Sequence, residues 1–374
     1  MTIMKKLLTV ILAFFTLFSL VGCGGYSAVP STEEESRTVM TLTINDKQYD
    51  VKYELYRAFF LTYKADLEDE DALTSDEADK YISLINERVV DAISEIYSAF
   101  YVCDTIGVNL DSRAYKKKIN EYIDDSIAAI QLLYTDEDGN APDDDAAYEI
   151  YLDRLKASYL NYSVSVLLYK YELALQAIDD YYFGSVDYTD PGLSGTLGAL
   201  EYTKDDIREF YNGEDAVKLY VAAISATAAN AKNRADALKI KLEAACALGE
   251  EAVINTIIAS STIAVASEIE AGEVIGRYSL DKFYYGEYID AAFTLEQGEI
   301  SEVIEIVDGK SDGYYILYKA GKSSAHFDEC YADIAYSYVT NEVGRIRFTA
   351  KDALASSVTF TDEYNAIIHA NISI

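Results

Sequence analysis

The chain has 374 residues, half of them hydrophobic, which is enough for two domains that each bury an apolar core. It carries 64 acidic and 31 basic residues, and a surface this acidic repels phosphate, so we exclude nucleic acid as a partner. With two histidines, His326 and His369, and four widely spaced cysteines, the sequence offers little material for a zinc site, a disulfide framework or a catalytic triad. We therefore expect no metal and no cofactor.

The first residues have the parts of a secretory signal peptide in the usual order. Lys5 and Lys6 form a basic end, and the apolar run Leu7–Leu20 is too short to span a bilayer comfortably. The run ends in Leu-Val-Gly-Cys, which resembles the lipobox of bacterial lipoprotein precursors. This resemblance implies a signal peptide of residues 1–22 and a lipid on the thiol of Cys23, and two acyl chains give a stable anchor where one does not.

The segment that follows the cysteine is mostly small, polar and charged (GGYSAVPSTEEESR). This composition is typical of a flexible tether, so we expect residues 23–37 to link the lipid to a fold that starts near Thr38. The protein would then be held on the extracytoplasmic side of the cell membrane. The alternative is a plain signal peptide, or an N-terminal anchor helix, that carries a cysteine by chance.

The next part of the sequence predicts a hairpin followed by helices. From Thr38 to Lys64, alternating residues, a turn at Asn45-Asp46 and an apolar-periodic segment indicate two short strands and a helix. Helical spacing predicts three further helices, from Thr74 to about Phe100, from Ser112 to about Tyr134, and from about Asp145 to Tyr182. The acidic loop before the last helix has Ala141 and Ala147 where a calcium loop needs glycine and glutamate, so we interpret it as a solvated turn.

The second half of the chain changes period several times. Gly184–Leu200 is rich in Gly, Ser and Pro and predicts a linker or long loop. The elements predicted after it are a short helix Thr203–Tyr211, a strand Lys218–Ser225, helices Asn233–Leu248 and Glu250 to about Ser260, a period-two segment Gly298–Ala320, a helical segment His326–Ser357 and an alternating segment Val358–Ile374. This pattern favours an α+β fold in which an α/β domain is inserted into a mostly helical frame.

Two parts of the chain carry a family resemblance. The segments Thr43–Phe60 (TINDKQYDVKYELYRAFF) and Ile85–Ile119 resemble the N-terminal chaperone domain of SurA and PrsA type foldases. The segment Ala291–Lys322 resembles the end of a parvulin domain, the peptidyl-prolyl isomerase domain of such foldases, and Val274–Ser279 resembles an earlier parvulin segment. The positions that match the parvulin pattern are Phe293, Leu295, Gly298, Ile300, Ser301, Val303, Gly313, Ile316 and Leu317.

The resemblance implies a domain organisation. Residues 38–200 would form a SurA-N-like helical chaperone frame, residues 201–322 an inserted parvulin-like domain, and residues 323–374 a helix and strand that return to the frame. It also implies a client-binding pocket for proline, formed by Ile275, Tyr288 and either Tyr284 or Phe283, with Phe293 behind them. Because such residues also serve as core in any sheet of this kind, their apolar character says little about catalysis.

The sequence departs from the parvulin pattern at the positions that matter for chemistry. Parvulins hold the imide over two histidines and a cysteine or aspartate. Here the first histidine position falls on or near Val221, the second on Tyr315, and the third position within Ser260, Ser261 and Thr262. Since neither histidine is present, we expect weak or absent isomerase activity. His326 lies just beyond the domain, and we interpret it as an ordinary surface or junction residue.

The leading hypothesis is therefore a membrane-anchored extracytoplasmic foldase or chaperone whose partners are unfolded exported polypeptides. An alternative is an active peptidyl-prolyl isomerase that uses the Tyr315 hydroxyl and the hydroxyls of residues 260–262 in place of the histidines. A second alternative is a lipid-anchored solute-binding or adhesion protein. Solute receptors usually have two lobes of repeated βαβ units, so the long helices expected here argue against it.

Overall fold

The computed structural model describes residues 30–69, 78–135, 139–183, 195–197, 200–262, 266–307 and 311–366. Several predictions fall on other residues. The signal peptide, the lipidated Cys23, His369, the helix start at Thr74 and the greater part of the linker Gly184–Leu200 lie outside the described residues.

The chain divides into two compact units. The sheet unit is Asp180–Ile346, and the helical unit consists of the chain up to Asp179 together with Arg347–Ile374. The helices of the described residues are α1 (Tyr53–Asp69), α2 (Ala78–Thr105), α3 (Arg113–Leu133), α4 (Asp144–Ala157), α5 (Tyr162–Tyr182), α6 (Lys204–Asn212), α7 (Ala231–Cys246), α8 (Glu250–Ser260), α9 (Ala266–Ala271), α10 (Lys282–Thr294), α11 (Ser324–Glu329), α12 (Tyr331–Ser356) and α13 (Asp362–Ala366). Their strands are β1 (Thr38–Ile44), β2 (Lys47–Lys52), β3 (Gly195–Leu197), β4 (Leu200–Tyr202), β5 (Ala216–Ser225), β6 (Glu273–Gly276), β7 (Ile304–Ile306), β8 (Gly313–Ala320) and β9 (Thr359–Phe360). This content confirms the predicted α+β class with a mostly helical frame.

The helical unit begins with the predicted hairpin. β1 and β2 pair antiparallel through a turn in which Asn45 has φ 50°, a left-handed conformation that asparagine tolerates. β9 pairs with β1, so the end of the chain completes a sheet of order β2-β1-β9. Part of the expected tether belongs to this fold, because the backbone N–H of Tyr53 donates to the carbonyl of Arg37 at 2.8 Å and Ser31 hydrogen-bonds Glu54. The tether prediction for residues 31–37 is therefore corrected.

Two helices, α4 and α5, occupy the stretch that was predicted to be one helix. Tyr159 has φ 60°, in the left-handed region, where a helix cannot continue. The side chain of Asn161 then accepts a hydrogen bond from the backbone N–H of Val164 at 2.9 Å, which caps the start of α5. Apolar spacing continues across this break, which explains why periodicity alone missed it.

Helices α3, α4 and α5 pack around one apolar cluster. Its buried members come from α3 and α4, and side chains of α5 pack against them. They are Tyr122, Ile123, Ile127, Ile130, Ala147 and Tyr151, with Tyr162, Val166 and Tyr169 from α5. Full burial of each isoleucine contributes about 1.5–3 kcal/mol, so this cluster holds the three helices together.

The sheet unit contains an antiparallel sheet of order β6-β5-β8-β7 within the described residues. β5 is nearly continuously apolar, as expected for a central strand that is covered on both faces. One face, with Tyr220, Ala222 and Ile224, packs on α7 and α8. The opposite face, with Val217 and Leu219, packs on α10.

The first part of α12 covers the outer edge of β6. The Ser337 hydroxyl donates to the carbonyl of Val274 at 2.6 Å, and the Asn341 side chain accepts from the backbone N–H of Tyr278 at 2.8 Å. Any Cβ on Gly344 would overlap the carbonyl oxygen of Tyr278, so only glycine permits this approach. The outer edge of β6, which no described strand pairs with, is thus covered by a helix.

The end of the chain differs from its prediction in two places. The helical segment expected at His326–Ser357 consists of two helices, α11 and α12, which meet at Cys330. The alternation expected for Val358–Ile374 holds only for β9, because the Thr361 hydroxyl accepts from the backbone N–H of Tyr364 at 3.4 Å and α13 begins. Residues 367–374 lie outside the described residues.

Candidate functional site

The two positions that correspond to the parvulin histidines lie on the α10-covered face of the sheet. Val221 in β5 pairs with Leu317 in β8, and Tyr315 in β8 pairs with Ala223. Side chains two residues apart on a strand point to the same face, so Val221 and Tyr315 are diagonal neighbours on adjacent strands. Both are half-buried and pack against the same apolar cluster.

The Tyr315 hydroxyl is engaged by the backbone of its own hairpin. It donates to the carbonyl of Ser311 at 2.8 Å. Its ring makes an edge-to-face contact with the ring of Tyr288, with centroids 6.2 Å apart and an interplanar angle of 86°. This geometry fixes the ring in the cluster and directs its polar end along the strand.

The residues proposed for the third catalytic position serve the backbone of β5. Ser261 Oγ accepts from the Ala223 N–H at 3.1 Å and donates to the Ala223 carbonyl at 3.0 Å. Thr262 Oγ1 accepts from the Ser225 N–H at 2.9 Å. Because β6 pairs with β5 only as far as Leu219, these two side chains satisfy strand groups that would otherwise lack a partner on that edge. Ser260 is the last residue of α8.

Three of the predicted proline-pocket residues come together. Ile275 and Tyr288 are buried, and the half-buried Phe293 packs against the same cluster as Val221 and Tyr315. The guanidinium carbon of Arg277 lies 4.4 Å from the centre of the Phe293 ring and covers one face of it. The pocket described by the resemblance is therefore largely filled by the protein's own side chains.

The other two pocket candidates lie apart from that cluster. Phe283 is buried and Tyr284 half-buried in the first turn of α10. Tyr285 interrupts the helix there with φ -125° and ψ 43°, so the first turn points in a different direction from the remainder. The kink separates Phe283 and Tyr284 from Tyr288, and helical spacing in the sequence gave no sign of it.

A carboxylate that sequence reasoning missed lies beside the cluster. The Tyr288 hydroxyl donates to Glu273 Oε2 at 2.9 Å. Glu273 is exposed by accessible surface and faces a cavity, but desolvation by the protein around its carboxyl, with a smaller contribution from Asp281, raises the pKa of Glu273. Burial, followed by the charge of Glu273 and the hydrogen bond to it, raises the pKa of Tyr288. The sequence offered one sign of this site, an acidic residue (Glu273) at the start of a strand. Its hydrogen-bond partner, Tyr288, lies 15 residues further along the chain, so local sequence patterns could not pair them.

A cavity of about 480 Å³ opens along β6 and the first part of α12. Its wall carries carboxylates and hydroxyls as well as apolar groups. The lining residues are Ala271, Gly272, Glu273, Val274, Ile275, Gly276, Ser279, Asp281, Asp333, Tyr336, Ser337 and Thr340. Ile275 is shared with the predicted pocket, so this cavity borders that pocket.

His326 is buried, so of the two interpretations, a surface or a junction residue, the surface one is wrong. Its ring nitrogens lie 3.0 Å from the Tyr211 hydroxyl and 2.9 Å from the carbonyl of Ala271. Burial, with the nearby Lys218 charge, lowers the pKa of His326 below its ordinary value. A neutral ring that donates to Ala271 and accepts from Tyr211 satisfies both contacts, which is a structural role at the junction of α11 with α6 and the end of α9.

Other chemistry receives little support from the described residues. No cluster of three or more potential metal-ligating side chains occurs in the part of the chain that the structure describes. None of the helices in that part combines the length and apolar character needed to cross a bilayer. The cysteines described, Cys103, Cys246 and Cys330, are free thiols.

The fold and site define an α+β protein with a two-sided antiparallel sheet and a separate helical unit. No family model and no curated protein matches the chain. Among solved structures it is similar to a crystal structure of foldase protein PrsA from Streptococcus pneumoniae str. Canada MDR_19A, with 14% identity over 77% of this chain and 85% of that chain and a TM-score of 0.26. It is also similar to a 3.10 Å crystal structure of foldase protein PrsA from Lactococcus lactis, with 14% identity over 91% of this chain and 100% of that chain and a TM-score of 0.20.

Proposed function

We propose that the chain is a lipid-anchored extracytoplasmic foldase or chaperone for exported polypeptides, with a parvulin-like domain that lacks the catalytic histidines and does not isomerise prolyl bonds. One observation carries the proposal. The segments that resemble a parvulin domain supply β6, β7 and β8, which lie with β5 in one antiparallel sheet, and Val221 and Tyr315 are diagonal neighbours on its α10-covered face. These segments follow one another in the chain in the order of the parvulin pattern, and they lie in the same sheet.

The absence of catalysis is supported by what the candidate groups already do. A catalyst for X-Pro isomerisation has to act on an amide whose barrier is about 18–20 kcal/mol. The hydroxyls of Tyr315, Ser261 and Thr262 all hydrogen-bond backbone groups of the sheet or its hairpin. Using them on a substrate would leave strand groups without partners, at a cost of about 1–3 kcal/mol each.

Client binding is supported by apolar surface on the helical unit. Leu132 and Leu133 at the end of α3 are exposed by 57% and 64%, and Tyr134 follows at 47%. Consecutive exposed apolar residues of this kind favour contact with other apolar chains. On this proposal they would help to hold an unfolded segment.

The first test is a protease-coupled proline-peptide assay on protein that lacks residues 1–23. We expect no acceleration over the uncatalysed rate, because no imidazole is present at the family positions and the hydroxyls are engaged. An active parvulin under the same conditions is the positive control. A rate near that of the control would overturn the non-catalytic part of the proposal and favour the active isomerase.

The second test is suppression of client aggregation, measured by light scattering of a reduced, unfolding protein. We expect suppression at near-stoichiometric ratio, weakened by the double substitution Leu132→Ser/Leu133→Ser. The matched control is Ile240→Ser/Leu248→Ser, which removes exposed apolar residues of the sheet unit (67% and 82% exposed). No suppression across several clients would exclude the chaperone function.

The anchor requires its own test. In cells, Cys23→Ala should abolish incorporation of a fatty-acid label and move the protein out of the membrane fraction, because the thiol would carry the lipid. Cys103→Ala is the matched control, since it removes a buried thiol and leaves the signal sequence unchanged. Membrane association that survives Cys23→Ala would favour an uncleaved anchor helix.

A further inference from the structure

The helical unit holds one carboxylate in an unusual position. Glu172 lies on α5, and its Oε1 atom is buried with no hydrogen-bond partner among the described residues. No ion pair within the described residues includes it, and the cation two positions earlier, Lys170, pairs with Asp111 at 2.6 Å. A buried carboxylate oxygen without a donor costs free energy, so this position needs a physical explanation.

The surroundings of Glu172 make its charge costly. α3 packs against α5 through Tyr122 and Tyr169, whose rings stack with centroids 4.1 Å apart and an interplanar angle of 14°. The charge of Glu172 acts on both phenols, and Glu121 and Asp125 of α3 also act on Tyr169.

Among the described residues, no cation is within salt-bridge distance of Glu172, and desolvation is the sole cause of its shifted pKa. The lysine on the same side of α3, Lys117, pairs with Glu121 at 2.7 Å. From α4, Tyr151 faces this region and hydrogen-bonds Ser165. The titratable groups around Glu172 are therefore phenols and other carboxylates.

Desolvation alone raises the pKa of Glu172 to about 7, from an ordinary value of 4.5. Below the ordinary value the carboxyl is protonated whether α3 and α5 are packed or apart, so it has no effect on their packing. As pH rises towards 7, separated helices let the carboxyl ionise while packed helices keep it protonated. Packing is therefore weakened progressively up to about pH 7, and remains weakened above it.

We propose that Glu172 is a pH-responsive latch that keeps α3 packed on α5 when its carboxyl is protonated and promotes local opening of the two helices when it is ionised. Opening would expose the buried stripe Ile123, Ile127 and Ile130, which continues into the exposed Leu132 and Leu133. That this exposure serves client binding rests on the foldase function proposed above. The opening itself does not depend on that function.

The expected size follows from proton linkage. A carboxyl whose pKa falls from about 7 in the packed state to 4.5 in the open state increases the opening constant about tenfold between pH 6 and pH 8. Ordinary exposed carboxylates contribute nothing comparable over this range, because they are ionised in both states.

Hydrogen exchange of the α3 and α5 amides tests the latch in the full mature chain. The exchange ratio of wild type to Glu172→Gln, taken peptide by peptide, cancels the intrinsic pH dependence of exchange and should rise about tenfold from pH 6 to pH 8. Glu149→Gln on α4, an exposed position, is the matched control and should give a constant ratio to wild type. A constant ratio for Glu172→Gln as well would overturn the latch.

Two further measurements distinguish a misfolded variant, a failure of the latch and a failure of its role in client binding. If the glutamine variant does not fold, Glu172→Met is measured in its place, and the same rise of the ratio is expected because the charge is again removed. Aggregation suppression is then compared at the two pH values. Opening without any change in suppression would support the latch and contradict its use in client binding, while constant exchange ratios would overturn the latch whatever the clients show.

Discussion

Each unit of the molecule contains a buried tyrosine that donates its hydroxyl to a glutamate, and the two pairs differ in what surrounds them. In the helical unit, Tyr171 donates to Glu95 Oε1 at 2.7 Å, and Arg347 Nη2 lies 3.8 Å from the same oxygen. In the sheet unit, Tyr288 donates to Glu273 Oε2 at 2.9 Å, and no cation pairs with that carboxylate among the described residues.

The two pairs differ in compensation: burial raises the pKa of both carboxyls, but the Arg347 charge opposes the rise at Glu95 and no cation opposes it at Glu273 among the described residues. Arg347 belongs to the returning part of the chain, so its contact with Glu95 joins α12 to α2 within the helical unit. A buried charge with a partner holds one arrangement, and removal of either partner leaves the other charge uncompensated. A carboxylate without a cation, such as Glu273, instead relieves its desolvation by binding a proton.

The largest effect should come from breaking the compensated pair. We expect Arg347→Met to reduce the free energy of unfolding by about 3–5 kcal/mol, because Glu95 and Arg347 are each about 5% exposed and the carboxylate would remain buried alone. Equilibrium urea unfolding, followed by far-UV circular dichroism, measures the change. A loss below about 1 kcal/mol would show that the pair is accessible to water and not buried as described.

The double substitution Glu95→Gln/Arg347→Met is the control for that prediction. It removes both charges, so much of the stability lost in Arg347→Met should return. Lys351→Met is a second control, since it breaks the contact of Lys351 with Asp91 at 2.7 Å, where the carboxylate is exposed. Its effect should stay within about 1 kcal/mol.

A smaller effect is expected in the sheet unit. Tyr288→Phe removes the hydrogen bond to Glu273 and should cost about 1–2 kcal/mol, because the carboxylate also faces the cavity and can be hydrated there. Thermal or urea unfolding measures it. The matched control is Tyr314→Phe, which removes the same kind of contact, Tyr314 to Glu305 at 2.9 Å, from an exposed site. Equal losses of stability in Tyr288→Phe and Tyr314→Phe would show that the buried tyrosine contributes no more than the exposed one, which contradicts this prediction.

The pH dependence of the sheet unit should be smaller still. The pKa of Glu273 is raised in the folded protein, so ionisation costs stability as pH rises from the ordinary value through the folded one. Glu273→Gln should therefore gain stability relative to wild type with increasing pH, by a modest amount because solvent in the cavity screens the charge. Parallel unfolding curves at pH 5 and pH 8, with Glu305→Gln as the control, would test this. A loss of relative stability at high pH would contradict it.

Local signals in the sequence predicted much of the fold. The hairpin β1–β2, the helix α3, which begins just after Ser112, and the helix α8, which ends at Ser260, lie where periodicity predicted them. Breaks set by one backbone conformation, such as φ 60° at Tyr159, leave no mark on the apolar spacing. Contacts between distant segments, such as Glu95 with Arg347, have no local signal at all.

The candidate site was predictable to a similar extent. The resemblance placed Val221 and Tyr315 in a sheet, and the pairing of β5 with β8 shows that they are neighbours on one face. It could not indicate that Ser261 pairs with the edge of β5, because that depends on β6 ending at its partner Leu219. The role of Glu273 was missed for the same reason, since only the packed structure brings it to Tyr288.

The smallest predicted effect concerns Tyr315, where a structural and a catalytic role make different predictions. Tyr315→Phe keeps the edge-to-face contact with Tyr288 and removes only the hydrogen bond to the Ser311 carbonyl, so it should cost about 0.5–1.5 kcal/mol of stability. Proline-isomerase rates and aggregation suppression at a temperature where both proteins are folded should be unchanged. A fall in an isomerase rate, with stability retained, would mean that the hydroxyl leaves Ser311 to act on substrate.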